Sequence, residues 1–305
     1  MAESLARSDC ATAPVSCGST HVPSINLVFS TDEKAFEVNA TMLHSVVRRT
    51  EHPVHVIAYC RNFAPTSFSV RNLTVEFVET SGEPGGNFPW WCNSCAFDRF
   101  YILRDHPAHW DRCWIMDYDN LAMTDLAEVY FDGFEGNLVM ACSYHSRLGG
   151  NCRLPAELSH CAGFEYYMMG PILNLALTRS AGTWEKFLEY HQRIGSDEQK
   201  SIIAATENRL KRLDRRWQRV VYWADLDREY EEMFPGVQRP HADYLEGYGL
   251  LHFTAGPKPW WDKSIEDKPK KKEQVWFNEQ TTWGKLRRGE WTAPEMVQAG
   301  RLVEV

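Results

Sequence analysis

Two aspartates stand two positions apart at the end of an apolar run, Cys113-Trp114-Ile115-Met116-Asp117-Tyr118-Asp119-Asn120. Read as a continuing strand, the run alternates its side chains between faces, so Asp117 and Asp119 point one way and Tyr118 the other. Neighbouring carboxylates repel unless a positive group lies between them. At the carboxyl end of a strand in an α/β sheet, where such sheets bind ligands, the simplest positive group is a divalent metal with oxygen ligands. The competing reading of Asp-x-Asp is an ordinary turn with side chains capping the backbone.

Three further groups could do chemistry. In Leu250-Leu251-His252-Phe253-Thr254-Ala255-Gly256-Pro257-Lys258-Pro259-Trp260, His252 follows an apolar pair and Lys258 is held between two prolines. A lone histidine is more often structural than a ligand, but a conformationally restricted lysine can serve as a fixed phosphate partner. Ser196-Asp197-Glu198-Gln199 opens a helical stretch. Ser196 with Gln199 reads as a capping box, and a helix N-terminus can also aim polar groups at a substrate. Trp90-Trp91-Cys92-Asn93-Ser94-Cys95 resembles the Trp-Cys-x-x-Cys of thioredoxin-like oxidoreductases, whose first thiol is activated at a helix N-terminus. Here a Gly/Pro-rich loop precedes it where that pattern expects a strand, and a zinc site at Cys92 and Cys95 lacks a second well-spaced pair. Thiol–disulfide chemistry is the weaker alternative.

Several elements must position these groups. Ser24 to Phe29, Val54 to Tyr59, Leu73 to Val78, the CWIM run and Asn137 to Ala141 read as strands. Helices are expected around Val38, Met42, Ser45 and Val46, over Cys95 to Leu103, over Thr183 to Ile194 and from Glu198 to about Arg219. In the last, Leu210, Leu213, Trp217 and Val220 form an apolar stripe, and Arg209, Lys211, Arg212, Arg215, Arg216 and Arg219 a solvated basic face. Strands alternating with helices predict an α/β domain with a largely parallel sheet. We expect a loose arm over 1–22, one domain over 23–262 and a charged extension over 263–305 that begins near Lys268 to Lys272.

Composition narrows the partners. The chain has 305 residues, of which 44% are hydrophobic and 24% charged, ordinary values for a soluble globular protein. Its net charge of −8 argues against nucleic acid as the main partner. No apolar run is long enough to span a membrane, and the first twenty residues do not read as a signal peptide. The nine cysteines are irregularly spaced and read as reduced thiols of a cytoplasmic protein. Asn39-Ala40-Thr41 and Asn72-Leu73-Thr74 are formal glycosylation sequons.

Taken together, LVFSTDE (from Leu27 to Glu33), Arg99 in a helix ahead of the aspartate strand, WIMDYD and HFTAGPKPW resemble glycosyltransferase family 8, over roughly Ile25 to Trp260. The resemblance implies a GT-A fold, a mixed and mostly parallel sheet flanked by helices. It implies transfer from a UDP-sugar donor to a hydroxyl acceptor, on a glycan, a protein-linked glycan or a small molecule, with retention of configuration. By the same resemblance Asp117, Asp119 and His252 would hold Mn2+, and Gly256 and Lys258 the diphosphate. Ser30, Thr31, Asp32 and Tyr118 would lie toward the nucleotide. Arg99 would sit between diphosphate and sugar, and Asp197, Glu198 and Gln199 near the reacting carbon. An imidazole beside two carboxylates favours Mn2+ over Mg2+. The sequence departs from the family at Tyr167-Met168-Met169-Gly170, where Asn-Ala-Gly is usual, near Tyr144, where an aspartate is common, and at Ala35, where an aromatic is expected. A protein that binds a nucleotide-sugar without transferring the sugar is the alternative these changes leave open.

Overall fold

The computed structural model describes residues 22–32, 35–62, 65, 67–70, 72–80, 94–147, 154–167, 170–194, 198–220 and 247–253, with Trp276 and Glu279. In chain order the elements are β1 (Ile25–Thr31), α1 (Phe36–Val47), β2 (Val54–Arg61), β3 (Phe68–Val70), β4 (Leu73–Thr80), α2 (Ser94–Asp98) and α3 (Ile102–Asp105). There follow β5 (Arg112–Ile115), β6 (Asn120–Ala122), α4 (Ala127–Tyr130), β7 (Val139–Ala141), β8 (Ser143–Arg147), β9 (Glu165–Tyr167), β10 (Ile172–Asn174), α5 (Leu175–Ser180) and α6 (Thr183–Ile194). The last are α7 (Glu198–Ala205), β11 (Leu210–Arg212), β12 (Arg219–Val220) and β13 (Leu250–His252).

Strand β1 is buried along its whole length, as a near-continuous apolar run demands of a central parallel strand. It lies inside an eight-stranded mixed sheet of order β11-β7-β10-β5-β1-β2-β4-β3. β1 pairs in parallel with β2 and β5, β2 with β4, and β11 with β7. β10 runs antiparallel between β5 and β7, and β3 antiparallel on β4. Side-chain alternation then divides the core. Leu27, Phe29, Trp114 and Met116 pack with Met42 and Val46 of α1 on one face. Val28, Cys113 and Ile115 pack with Phe97, Phe100, Phe187 and Ile202 from the helices on the other. The result is a three-layer α/β/α arrangement. A second sheet, β12-β13-β6, stands apart from the main one.

Two expectations are corrected. The stretch after Glu198 is not one long helix: α7 ends at Ala205, and Glu207 and Asn208 follow with φ of 53° and 54°. Consecutive left-handed residues cannot continue a right-handed helix. Leu210 then enters β11 and packs on the α7 side of the sheet, whereas Leu213 and Trp217 pack on the α1 side. Three of the basic residues form surface ion pairs, Lys211 with Glu135 at 3.0 Å, Arg216 with Glu128 at 3.0 Å and Arg212 with Glu165. Second, Asp117 and Asp119 do not ride on an extended strand, because β5 ends at Ile115 and the chain turns before β6. The Asn39 sequon is closed as well: Asn39 is 2% exposed, and its amide donates to Thr31 Oγ1 at 2.9 Å. No helix among the described residues is long and apolar enough to cross a membrane.

One buried histidine gives the fold a pH dependence. His106 Nδ1 donates to the Ile102 carbonyl at 3.0 Å and Nε2 accepts from Arg179, so the neutral ring ties α3 to α5. Burial, then the Arg179 charge, lowers its pKa. The unfolded chain, with a histidine near ~6.5, takes up the proton first, so stability is full above that pH and is lost as pH falls toward the lowered folded value. Urea unfolding at stepped pH should show a steeper loss on acidification for the native chain than for His106→Gln. Identical slopes would remove His106 from the account.

Candidate functional site

β1 and β5 are neighbours in the sheet and both end at the same carboxyl edge, β1 in Ser30, Thr31 and Asp32 and β5 in the turn that carries Asp117 to Asp119. That turn is pinned at both ends. Met116 N donates to Val28 O at 2.8 Å, and Asn120 donates to Asp117 O through its backbone N–H (3.1 Å) and its amide (3.0 Å). β6 leads directly out of the turn and pairs antiparallel with β13, setting His252 opposite Asn120. Phe253 N extends the ladder onto Asp119 O at 2.9 Å. Backbone pairing between residues more than 130 positions apart thus brings His252 to the aspartates. His252 Nε2 lies 3.1 Å from Asp119 Oδ1 and 3.6 Å from Asp117 Oδ2.

The three groups offer ligand atoms within 4.8 Å of one another, and their residues are 9%, 4% and 3% exposed for Asp117, Asp119 and His252. On the far side of Asp117 the Arg99 guanidinium donates to Oδ1, and it reaches Glu198 Oε1 at 3.5 Å. Arg99 gets there through a 3₁₀ turn, Arg99–Tyr101, between α2 and α3. Its neighbour Asp98, about 100° round the helix, faces away to Arg61 Nε at 2.9 Å and Thr80 Oγ1 at 2.6 Å. Among the described residues the cluster therefore gathers three carboxylates, one guanidinium and the His252 imidazole in a nearly dry setting. Burying carboxylates is costly without compensation. Two carboxylates and an imidazole within reach of one another are a donor set that fits a divalent cation, whose charge would offset theirs. The adjacent Asn120 Oδ1, buried and without a protein partner among the described residues, is a further sign that the site takes a polar or charged guest.

The other residues expected at the site are placed as follows. Asp32 Oδ1 accepts from Ala35 N at 2.8 Å, closing the turn into α1, and Thr31 Oγ1 donates to Asp32 O at 3.0 Å. Tyr118 is half-buried, and its hydroxyl is raised by burial and then by the charges of Asp119 and Asp117, with a smaller contribution from Asp32. Glu198 is the first residue of α7 and is buried, facing Arg99, and Gln199 accepts from the Tyr166 hydroxyl of β9. Asp197, Gly256 and Lys258 lie outside the described residues, as do Cys92 and the Met168-Met169 pair.

Cys95, the described half of the Cys-x-x-Cys, is buried, and its thiol is pushed up to about 12 by desolvation, which a hydrogen bond from Ser30 only partly offsets. A redox nucleophile needs the opposite shift.

Sequence reasoning missed Gln218, which sits at 3.5 Å from His252 Nδ1, and Tyr166. Gln218 was hidden because its segment read as helix. In β12's approach it lies behind the imidazole, in the position from which a ligand histidine's ring is oriented.

Solved structures with a similar fold include three glycosyltransferases. Galactosyltransferase LgtC, crystallised with donor and acceptor sugar analogs, superposes with a TM-score of 0.59 at 14% identity, covering 85% of this chain and 96% of that one. This chain has the GT-A fold. The bifunctional glycosyltransferase WbbM gives a TM-score of 0.58 at 14% identity, covering 85% of this chain and 52% of WbbM. Glycosyltransferase GlyE of Streptococcus pneumoniae TIGR4 gives 0.55 at 14%, covering 84% and 60%. No protein-family model and no curated protein matches the chain. At such identities the likeness is one of fold, and what the GT-A site does here rests on its own residues.

Arg99 is the residue whose removal tests the charge balance. Arg99→Ala leaves two buried carboxylates facing each other and should cost about 3 kcal/mol in chemical denaturation. Arg99→Lys, which keeps charge but loses the planar fork, should fall between. A loss under ~1 kcal/mol, the size of an exposed ion pair, would show that Arg99 does not balance the site.

Proposed function

We propose that the chain is a metal-dependent glycosyltransferase that moves a sugar from a UDP-sugar to a hydroxyl acceptor with retention of configuration. The observation that carries this is the convergence of Asp117, Asp119 and His252 beside Arg99 at the carboxyl edge of a GT-A sheet. Asp117, Asp119 and His252 would hold the ion, with Mn2+ favoured by the imidazole. A divalent ion bound there supplies Lewis-acid stabilisation of the charge that develops on a departing diphosphate.

The chain's own residues supply the rest. Arg99 is preorganised by Asp117 and Glu198 and can meet the same developing charge without reorienting. Lys258, with Gly256, is assigned to the diphosphate. Ser30, Thr31, Asp32 and Tyr118 line the approach expected for the nucleotide. Glu198 and Gln199, with Asp197 just ahead, stand at the start of α7, where side chains can face the reacting carbon of a bound donor. If retention proceeds through a protein nucleophile, the carboxylate of Asp197 or Glu198 is the group to test. The acceptor is a hydroxyl on a glycan, a protein-linked glycan or a small molecule. The buried cysteines Cys60, Cys95, Cys113, Cys142 and Cys161 suit a reducing compartment, which supports a cytoplasmic location.

Release of UDP from a panel of UDP-sugars, with Mn2+ and then with EDTA, tests this reading. Metal-dependent turnover is expected; tight UDP binding with no turnover on any donor would leave only the binding protein. Asp117→Ala should abolish metal-dependent UDP binding and transfer, and undiminished transfer would refute the assignment. Lys258→Ala should slow turnover by about 10²-fold, the usual loss for one donor to a developing charge. A normal rate would make Lys258 a bystander.

A further inference from the structure

We infer that Trp276 and Glu279, in the stretch 263–305, form a strap that positions the ligand histidine; this rests on the metal role proposed for His252. Trp276 is 1% exposed and packs in a small cluster with Leu121, Leu251 and Phe253. Its ring meets Phe253 edge-on, 5.4 Å between centroids at 74°. Leu251 and Phe253 flank His252 in sequence, so alternation along the strand turns them to the face opposite the imidazole. Leu121 faces Leu251 across the β6–β13 pair. Trp276 therefore backs the β6–β13 ribbon, which carries Asp119 and His252 side by side at one end, one on each side.

Glu279 fastens the same segment to α1. It is 3% exposed and lies 2.5 Å from His44 Nδ1, 3.3 Å from Arg48 Nε and 3.1 Å from Arg49 Nη1. The Arg and His partners lower its carboxyl pKa even though burial alone would raise it. α1 is in turn tied to β6, where Ser45 Oγ accepts from Ala122 N at 2.9 Å. β6 and β13 have three residues each and lie outside the main sheet. Strands so short need an apolar cover to hold their place. Among the described residues, the fully buried members of that cover are the ribbon's own side chains and Trp276. Trp276 and Glu279 are then a structural part of the site, and Trp276 a positioning residue that acts through Phe253 and β13.

The test is Mn2+ binding to the full chain, by calorimetry or by the free-ion EPR signal, well below the melting temperature of each variant. Trp276→Ala should weaken Mn2+ binding by about 10-fold, the lower end of the effect of groups that orient metal ligands. Trp276→Phe should restore native affinity. Glu279→Gln should weaken binding in the same direction but less. Leu73→Ala, in the main core at the amino end of β4, should lower the melting temperature and leave Mn2+ affinity alone. If Trp276→Ala does not fold, Trp276→Leu takes its place with the same expectation. Native affinity in Trp276→Ala, or an equal loss in Leu73→Ala, overturns the strap. Failure of the unaltered chain to bind Mn2+ overturns the proposed function, and the strap with it.

Discussion

Carboxylates that are nearly dry must be matched by positive charge, and at this site the Arg99 guanidinium does part of that work. Arg99 lies between Asp117 and Glu198, at the meeting of β5, the 3₁₀ turn and α7. With Asp119 included, the acids outnumber the guanidinium among the described residues. A folded chain can tolerate that surplus if a ligand of opposite charge completes it, and the geometry of His252 offers such a ligand a third donor. The site's composition is thus unfavourable as structure and sensible as a receptor, a conflict of the kind that marks functional positions.

Two sheets divide the labour. The main sheet fixes the aspartate turn and the β1 end through parallel pairing and a core on both faces. The small sheet fixes the imidazole by pairing β13 with β6, the strand that leaves the turn. Asp119 belongs to both systems, since its carbonyl accepts from Phe253 N while its turn hangs from β5. Glycine is required where the small sheet begins: a Cβ at Gly249 would lie 2.3 Å from the Trp217 ring. That close approach lets β13 run beside the segment carrying Gln218, which stands behind His252.

Much of this was legible in the residues. Buried runs such as INLVF and CWI fixed the central strands because a strand covered on both faces has no room for polar side chains. The Asp-x-Asp and the distant histidine were legible as types, and the structure brings them together, although through a turn and a cross-strand pair rather than by alternation along one strand. Glu198 was legible as part of a polar helix start, and Arg99 only with the resemblance in hand. What failed did so for a local reason. Leu210, Leu213 and Trp217 have helical spacing, yet left-handed backbone at Glu207 and Asn208 sends them to opposite faces of the sheet. Gln218 and Tyr166 carry no signal in one sequence, because a neutral hydrogen-bonding side chain gains its meaning from what it faces.

The basic residues that looked like the flank of a helix have another consequence in β11. Among the described residues this strand is the outermost of the large sheet, and an outermost strand presents amides and carbonyls that another chain could extend. Lys211 and Arg212 stand on it, each held by an acid from a neighbouring segment, and the opposite rim is the three-residue β3. Recruitment of a second molecule by strand addition is discouraged by charge at one rim and by shortness at the other.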